Sequence, residues 1–281
     1  MISLGMSTSC VYPRGPEHAF QLARQAGYDG LEVMVTNDPV TQDADALNAL
    51  AERFGMPILS IHAPVLLLTT FVWGRDPQVK LEKSAELAAK VGADTVVVHP
   101  PFRWQAGYAR NFERIVRETA AASGVEIAVE NMFPWKVRGS SVKAYAPSPD
   151  PTDMDCDAMT LDFSHAALSG AGSLELARRM GDRLRHIHLC DGSGSMDEGR
   201  VFDEHLVPGA GHEPVAEVLK MLIDSGWNGS IVAEVNTRKA RTESEQLDLL
   251  IATRLFASRI IGRRRPSIRA RARRAVASLR R

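Results

Sequence analysis

The sequence predicts an α/β protein built as a closed (β/α)8 TIM barrel. Three observations carry that reading. Short β-branched runs alternate strictly with segments of helical period, which is the mark of a parallel sheet. There are eight such runs, the number that closes a barrel. The segment after the first run, "GMSTSCVYPRG", lacks the G-x-G-x-x-G turn of an open dinucleotide-binding sheet. A chain of 281 residues accommodates one barrel of about 250 residues with a short extension.

Each element has its local chemical reason. Ile2–Met6 reads as the first strand, and the helix over Pro16–Ala26 opens on proline and stops before Gly27. Gly30–Val35 is the second strand, and Asp43–Phe54 is a helix that starts at an aspartate and ends before Gly55. Pro57–His62 leads to Pro77–Val91, Thr95–His99 to Tyr108–Ser123, and both helices again close on glycine. Glu126–Glu130 is the fifth strand. The stretch beyond it, "SSVKAYAPSPDPTDMDCDAM", is too rich in proline for a long helix, so the fifth unit is expected to be poorly helical. Met159–Asp162 pairs with the helix Leu174–Met180, His186–Leu189 with Glu213–Ser225, and Ser230–Glu234 with Thr242–Ser258. The barrel is therefore expected over residues 1–260, and residues 261–281 as a basic tail, disordered or a short helix.

Charge is unevenly spread. Ten arginines and no acid lie from Arg259 to Arg281, leaving 24 basic against 34 acidic residues in the remainder. An acidic body does not favour nucleic acid, whereas the tail has the charge to contact it. Cys10, Cys156 and Cys190 show no disulfide or zinc-knuckle spacing, which predicts a reducing cytoplasm. The start "MISLGMSTSC" carries no charged leader pattern, and "APVLLLTTFVW" is too short to span a bilayer, so neither a signal peptide nor a membrane span is expected. The oligomeric state is left open.

Catalysis in such barrels takes place where the strands end. Seven of the eight strands end in Asp, Glu or His, although those types make up only 42 of 281 residues. The ends are Glu32, His62, His99, Glu130, Asp162, His188 and Glu234. Loops add His165, Asp203 and His205. Singly, His62 and His99 read as core histidines before a turn, and Glu32 as a helix N-terminal acid or a hydrogen-bonding partner. Glu130 and Glu234 are harder to set aside, because a carboxylate closing an apolar strand is costly unless paired or bound to metal. His186 shares a face with His188 but lies deeper, as a structural or supporting residue. Cys190 reads as core and Asp191 as a supporting acid. Imidazole and carboxylate without thiolate suit Zn²⁺ or Mn²⁺ rather than Ca²⁺.

These strand-end motifs resemble the xylose-isomerase-like superfamily of metal-dependent barrels, over roughly Met1 to Phe256. The superfamily holds sugar and sugar-phosphate isomerases and epimerases, and also the endonuclease IV class of DNA-repair enzymes. The resemblance to the sugar branch implies one metal held by Glu130, Asp162, His188 and Glu234. In "LDFSH" it implies that His165 touches substrate, and "HIHLCD" with "VPGAGH" resembles two further elements of that branch. The resemblance to endonuclease IV implies up to three zinc ions, held by His62, His99, Glu130, Asp162, His165, His188, Asp203, His205 and Glu234. Against that branch stand the acidic body and a second loop, "MVTNDPVTQD", with no Arg or Lys to grip a phosphate backbone.

The residues allow two mechanisms. In the first, a sugar isomerase or epimerase, a divalent metal polarises the carbonyl and Glu130 and Glu234 move a proton through an enediolate; across the two readings the count is one to three ions of Mn²⁺ or Zn²⁺. Trp73, Trp104 and Trp135 are candidates to stack on the sugar, and Arg103, Lys136, Arg138 and Arg238 to hold a phosphate or carboxylate. In the second, a multi-zinc phosphodiesterase employs His62, His99, Asp203 and His205 directly. A ligand-binding barrel without catalysis predicts loss of the flanking carboxylates, and both are present.

Overall fold

The computed structural model describes residues 2–64, 69–137, 140–142, 144–194 and 203–262. Eight parallel strands close on themselves: β1 (Ser3–Ser7), β2 (Gly30–Met34), β3 (Ile58–His62), β4 (Thr95–Val98), β5 (Glu126–Glu130), β8 (Ala158–Asp162), β9 (Leu184–Leu189) and β10 (Ser230–Ala233). Their order around the barrel is β1-β10-β9-β8-β5-β4-β3-β2. Around them lie α1 (Pro16–Ala26), α2 (Ala44–Phe54), α3 (Pro77–Val91), α4 (Ala106–Ser123), α5 (Phe163–Ser169), α6 (Ser173–Met180), α7 (Val215–Asp224) and α8 (Glu243–Ile260). The strands are covered on both faces, which is why they read as nearly continuous apolar runs. Gly30 shows how tightly they pack: a Cβ there would lie 2.5 Å from the Pro57 carbonyl oxygen.

The fifth unit lacks a helix, as its prolines require. In its place an antiparallel hairpin, β6 (Trp135–Val137) and β7 (Ser140–Val142), stands after β5, followed by a single 3-10 turn at Pro151–Asp153. Two features of the sequence reading change. α5 follows β8 without a loop, because Asp162 is both the last strand residue and the helix N-cap, its carboxylate accepting from His165 N at 2.7 Å. Glu32, counted among the strand ends, is the third of five residues in β2 and points into the barrel beneath the mouth rather than at its rim. Residues 263–281 of the arginine tail lie outside the described residues. No described helix is long and apolar enough to cross a membrane. The three cysteines are free and buried.

Candidate metal centre

The strand ends converge. Glu130, Asp162, His188 and Glu234, from β5, β8, β9 and the residue after β10, offer ligand atoms within 4.8 Å of one another. His188 Nδ1 is 2.9 Å from Glu130 Oε1, 2.9 Å from Glu234 Oε2 and 3.7 Å from Asp162 Oδ2. Two further groups share members with this one. His62 and His99 bring Nε2 to 3.4 and 2.9 Å from Glu130 Oε2. His165 and His205 bring Nε2 to 3.0 and 2.7 Å from Asp203 Oδ2. All nine residues singled out as candidate ligands therefore meet at one mouth of the barrel.

The hydrogen bonds decide what the cluster fits. His62 Nδ1 faces the Ala63 carbonyl at 3.1 Å, His165 Nδ1 the Asn131 carbonyl at 2.9 Å and His205 Nδ1 the Glu234 carbonyl at 2.6 Å. A carbonyl only accepts, so these nitrogens carry the proton. Each opposite Nε2 then turns a lone pair toward a carboxylate oxygen. That contact is repulsive unless a cation, a second proton or a metal, lies between. An imidazole oriented by one acceptor with its free nitrogen in a carboxylate cluster is the arrangement that holds metals. Glu130 Oε2 adds to it: it is buried and, among the described residues, has no hydrogen bond, although two imidazole nitrogens lie within 3.4 Å. The donors fit a divalent cation that accepts nitrogen and oxygen, as Zn²⁺ and Mn²⁺ do.

Charge follows geometry. Burial alone would raise the Glu130 carboxyl, but the facing His188 and His99 hold it well below the usual range. For Glu234 burial acts the same way, and His188 outweighs it, pulling the value down to about 2. Burial opposes charge on His188, yet Glu234, Glu130 and Glu32 hold it well above an ordinary histidine. His165 and His205 are likewise raised against burial by Asp162 and Asp203. Asp162, by contrast, is raised by burial. The Cys190 thiol is pushed up to about 12 by burial, with Asp162 Oδ2 3.5 Å from its sulfur, so it takes no part as a thiolate.

Several supporting residues had no sequence signal. Asn131 grips Asp162 twice, donating Nδ2–H to its carbonyl at 3.0 Å and accepting its N–H at 2.7 Å. Ser9 donates to Glu234 Oε1 at 3.0 Å. Below the mouth, Ser60 donates to Glu32 Oε2 at 2.8 Å, and Glu32 faces His186 Nε2 at 3.2 Å and His188 Nε2 at 3.2 Å. His186 is thus a supporting residue, as its depth implied. Asp191 supports a loop instead of a ligand: its carboxylate accepts the N–H groups of Gly209, Gly211 and Glu213 and so shapes the glycine-rich turn.

The expected substrate-holding residues are more scattered. Trp104 is 59% exposed and lies flat on Phe102, ring centres 4.4 Å apart. Trp135 packs edge-on against Phe102 and Tyr145, and Trp73 is partly buried against the core. Arg103 and Arg238 are exposed, and the Arg238 guanidinium covers the Tyr12 ring at 4.8 Å. The Lys136 side chain and Arg138 lie outside the described residues.

A closed parallel barrel with this mouth belongs to the xylose isomerase-like TIM barrel family, which the chain matches over residues 20–253. An uncharacterized protein of Mycobacterium tuberculosis is 46% identical over 275 residues, covering 91% of this chain and 96% of its own length. The fructoselysine 3-epimerase of Escherichia coli O157:H7 is 24% identical over 259 residues, 83% of this chain and 90% of that protein. Among solved structures, a D-tagatose 3-epimerase-like protein superposes with a TM-score of 0.66 at 21% identity, covering 92% of this chain and 98% of that one. The IOLI protein with a binding zinc atom gives 0.65 at 17% identity, with the same coverage. At these identities the solved structures speak for the fold.

Proposed function

We propose that this chain is a divalent-metal-dependent sugar or sugar-phosphate isomerase or epimerase. The observation that carries the reading is one pair of carboxylates. Glu130 and Glu234, on strands separated by two others, both approach the same His188 nitrogen at 2.9 Å. The likeness to fructoselysine 3-epimerase supports it. A cation held by Glu130, Asp162, His188 and Glu234 would supply Lewis acidity toward the substrate carbonyl.

The chain's own residues do the rest. Glu234 is ionised and, at 7% exposure, the more open of the two carboxylates. It takes the proton from the carbon next to the carbonyl, and the C–H electrons pass into an enediolate. Returned by Glu234 to the neighbouring carbon, while the proton of the adjacent hydroxyl passes to the former carbonyl oxygen, the proton gives the isomer. When Glu130, having taken a proton from solvent, delivers that second proton to the opposite face of the same carbon, the product is the epimer, and Glu234 releases the proton it removed back to solvent. His165 is the substrate-facing histidine, its ring fixed by Asn131. Trp104 offers a flat face to the apolar side of a sugar, with Arg103 beside it in the chain.

A second reading, a multi-zinc phosphodiesterase, is favoured by one observation: the Nε2 atoms of His165 and His205 converge on Asp203. Solvent exchange separates the two. A panel of ketoses and ketose phosphates incubated with metal-loaded protein in D2O should gain deuterium beside the carbonyl, and Asp203→Ala should change the rate by less than about tenfold. Asp203→Ala acts on a group that general base catalysis, worth about 10²–10⁴, does not use in the first reading. Three zinc ions per chain, cleavage of an abasic-site duplex and loss of that cleavage in Asp203→Ala would replace the sugar reading with the second.

A further inference from the structure

We propose that the cleft between the β3–α3 and β4–α4 connections is an anion subsite that holds a phosphate or carboxylate on the far end of the substrate. The proposal deepens the sugar reading and rests on it for the word substrate. The cleft has a volume of about 210 Å³ and is lined by Pro64, Arg75, Lys80, His99, Phe102 and Trp104, among others. That is several times the ~30 Å³ that one water takes in the liquid. Its lining includes two cationic side chains and no carboxylate.

Lys80 is the centre of the argument. It sits in the first turn of α3 and is only 7% exposed. Its Nζ donates to the Thr69 carbonyl at 2.6 Å and the Pro64 carbonyl at 3.4 Å. Among the described residues no carboxylate comes within ion-pair distance, and the intervening "VLLL" contains no acid. The nearby Asp76 carboxylate caps α3, accepting from Gln78 N at 2.9 Å. A buried ammonium is normally paired, because carbonyl dipoles only partly replace its hydration. Among the described residues Lys80 therefore keeps a third N–H for an anion.

Two other features point to the same occupant. His99 walls the cleft with the ring whose Nε2 faces Glu130, and its buried Nδ1 has no hydrogen-bond partner among the described residues. One imidazole thus separates the cleft from the carboxylate cluster, so a ligand seated in one reaches toward the other. The stacked Phe102 and Trp104 supply an apolar wall for the carbons between. Arg103 and Arg238, the exposed arginines expected to hold such a group, do not line this cleft.

Titration calorimetry on the metal-loaded full chain tests the subsite with two probes, glycerol 3-phosphate and glycerate. At least one should bind, and Lys80→Met and Arg75→Ala should each weaken it about tenfold or more, as loss of a charged hydrogen bond does. Arg185→Ala, at the far end of the barrel, should leave it unchanged. Binding of the phosphate alone assigns a phosphate ester, and of glycerate alone a sugar acid. Binding of neither, or equal binding by both variants, overturns the proposal. If Lys80→Met does not fold, the exposed Arg75→Ala decides. Probe binding that is lost in the variants, without deuterium exchange into any sugar, would keep the subsite and remove the isomerase reading. Exchange with neither probe bound would do the reverse.

Discussion

Strands β5 and β9 flank β8, and each carries one charged group toward each end of the barrel. At the foot, Arg185 Nε meets Glu126 Oε1 at 3.2 Å with 45% and 38% of the side chains exposed. At the mouth, His188 Nδ1 meets Glu130 Oε1 at 2.9 Å with 0% and 1% exposed. The foot pair does not overcome its own desolvation: burial still leaves the Glu126 carboxyl above its usual value despite Arg185. At the mouth, interaction wins and Glu130 falls well below. Packing of the same two strands is thus compatible with a weak, wet pair. The dry pair has no such structural excuse, because burying ions costs several kcal/mol each unless something compensates.

The largest expected effect breaks the mouth. Glu234→Gln removes a proton acceptor while keeping the side chain's size, and turnover should fall by about 10²–10⁴-fold with an unchanged circular dichroism spectrum. Activity within tenfold of the parent would take Glu234 out of the proton pathway.

The next effect sharpens the contrast through pH in the metal-free protein. His165, His188 and His205 are raised above the ordinary 6.5 or so, so their contribution to stability is full below that pH and drains as pH rises through the folded values. Glu130, Asp203 and Glu234 are depressed, so theirs is full above about pH 4.3 and is lost as pH falls. His99 and His186, lowered by burial, also act only on the acid side. The melting temperature should therefore decline from pH 6.5 to 9 without metal. Added Zn²⁺ or Mn²⁺, which needs deprotonated ligands, should gain most at the alkaline end. A metal-free melting temperature that stays level over that range would contradict the charge assignment. The smallest effect belongs to the foot: Arg185→Ala should cost under about 1 kcal/mol in urea denaturation, and a much larger loss would erase the distinction between the two ends.

The barrel was legible because period and punctuation agree. Proline or an aspartate opens α1, α2 and α3, and glycine closes them. The missing fifth helix was legible from its prolines. The hairpin β6–β7 was not, since three-residue strands carry too little alternation, and α5 was hidden because "FSHAALS" begins immediately after the strand's last residue, Asp162, with no loop between. In the site, the ligand types announce themselves by sitting where apolar strands stop. Glu32 was misplaced because the acid of an otherwise apolar run reads as its end, although Val33 and Met34 continue the strand beyond it. Asn131, Ser9 and Lys80 carried no signal: a polar residue beside a motif, or a lysine in an amphipathic helix, looks the same in sequence whether or not the fold buries it.

The hairpin that replaces the fifth helix has one consequence for how the molecule comes apart. Phe102, Met132, Phe133, Ala144, Tyr145 and Leu168, with Trp135 against them, form an apolar cluster distinct from the main core. Segments with separate cores open with separate free energies. Amide hydrogens around this smaller cluster are therefore expected to exchange ahead of those in the barrel strands.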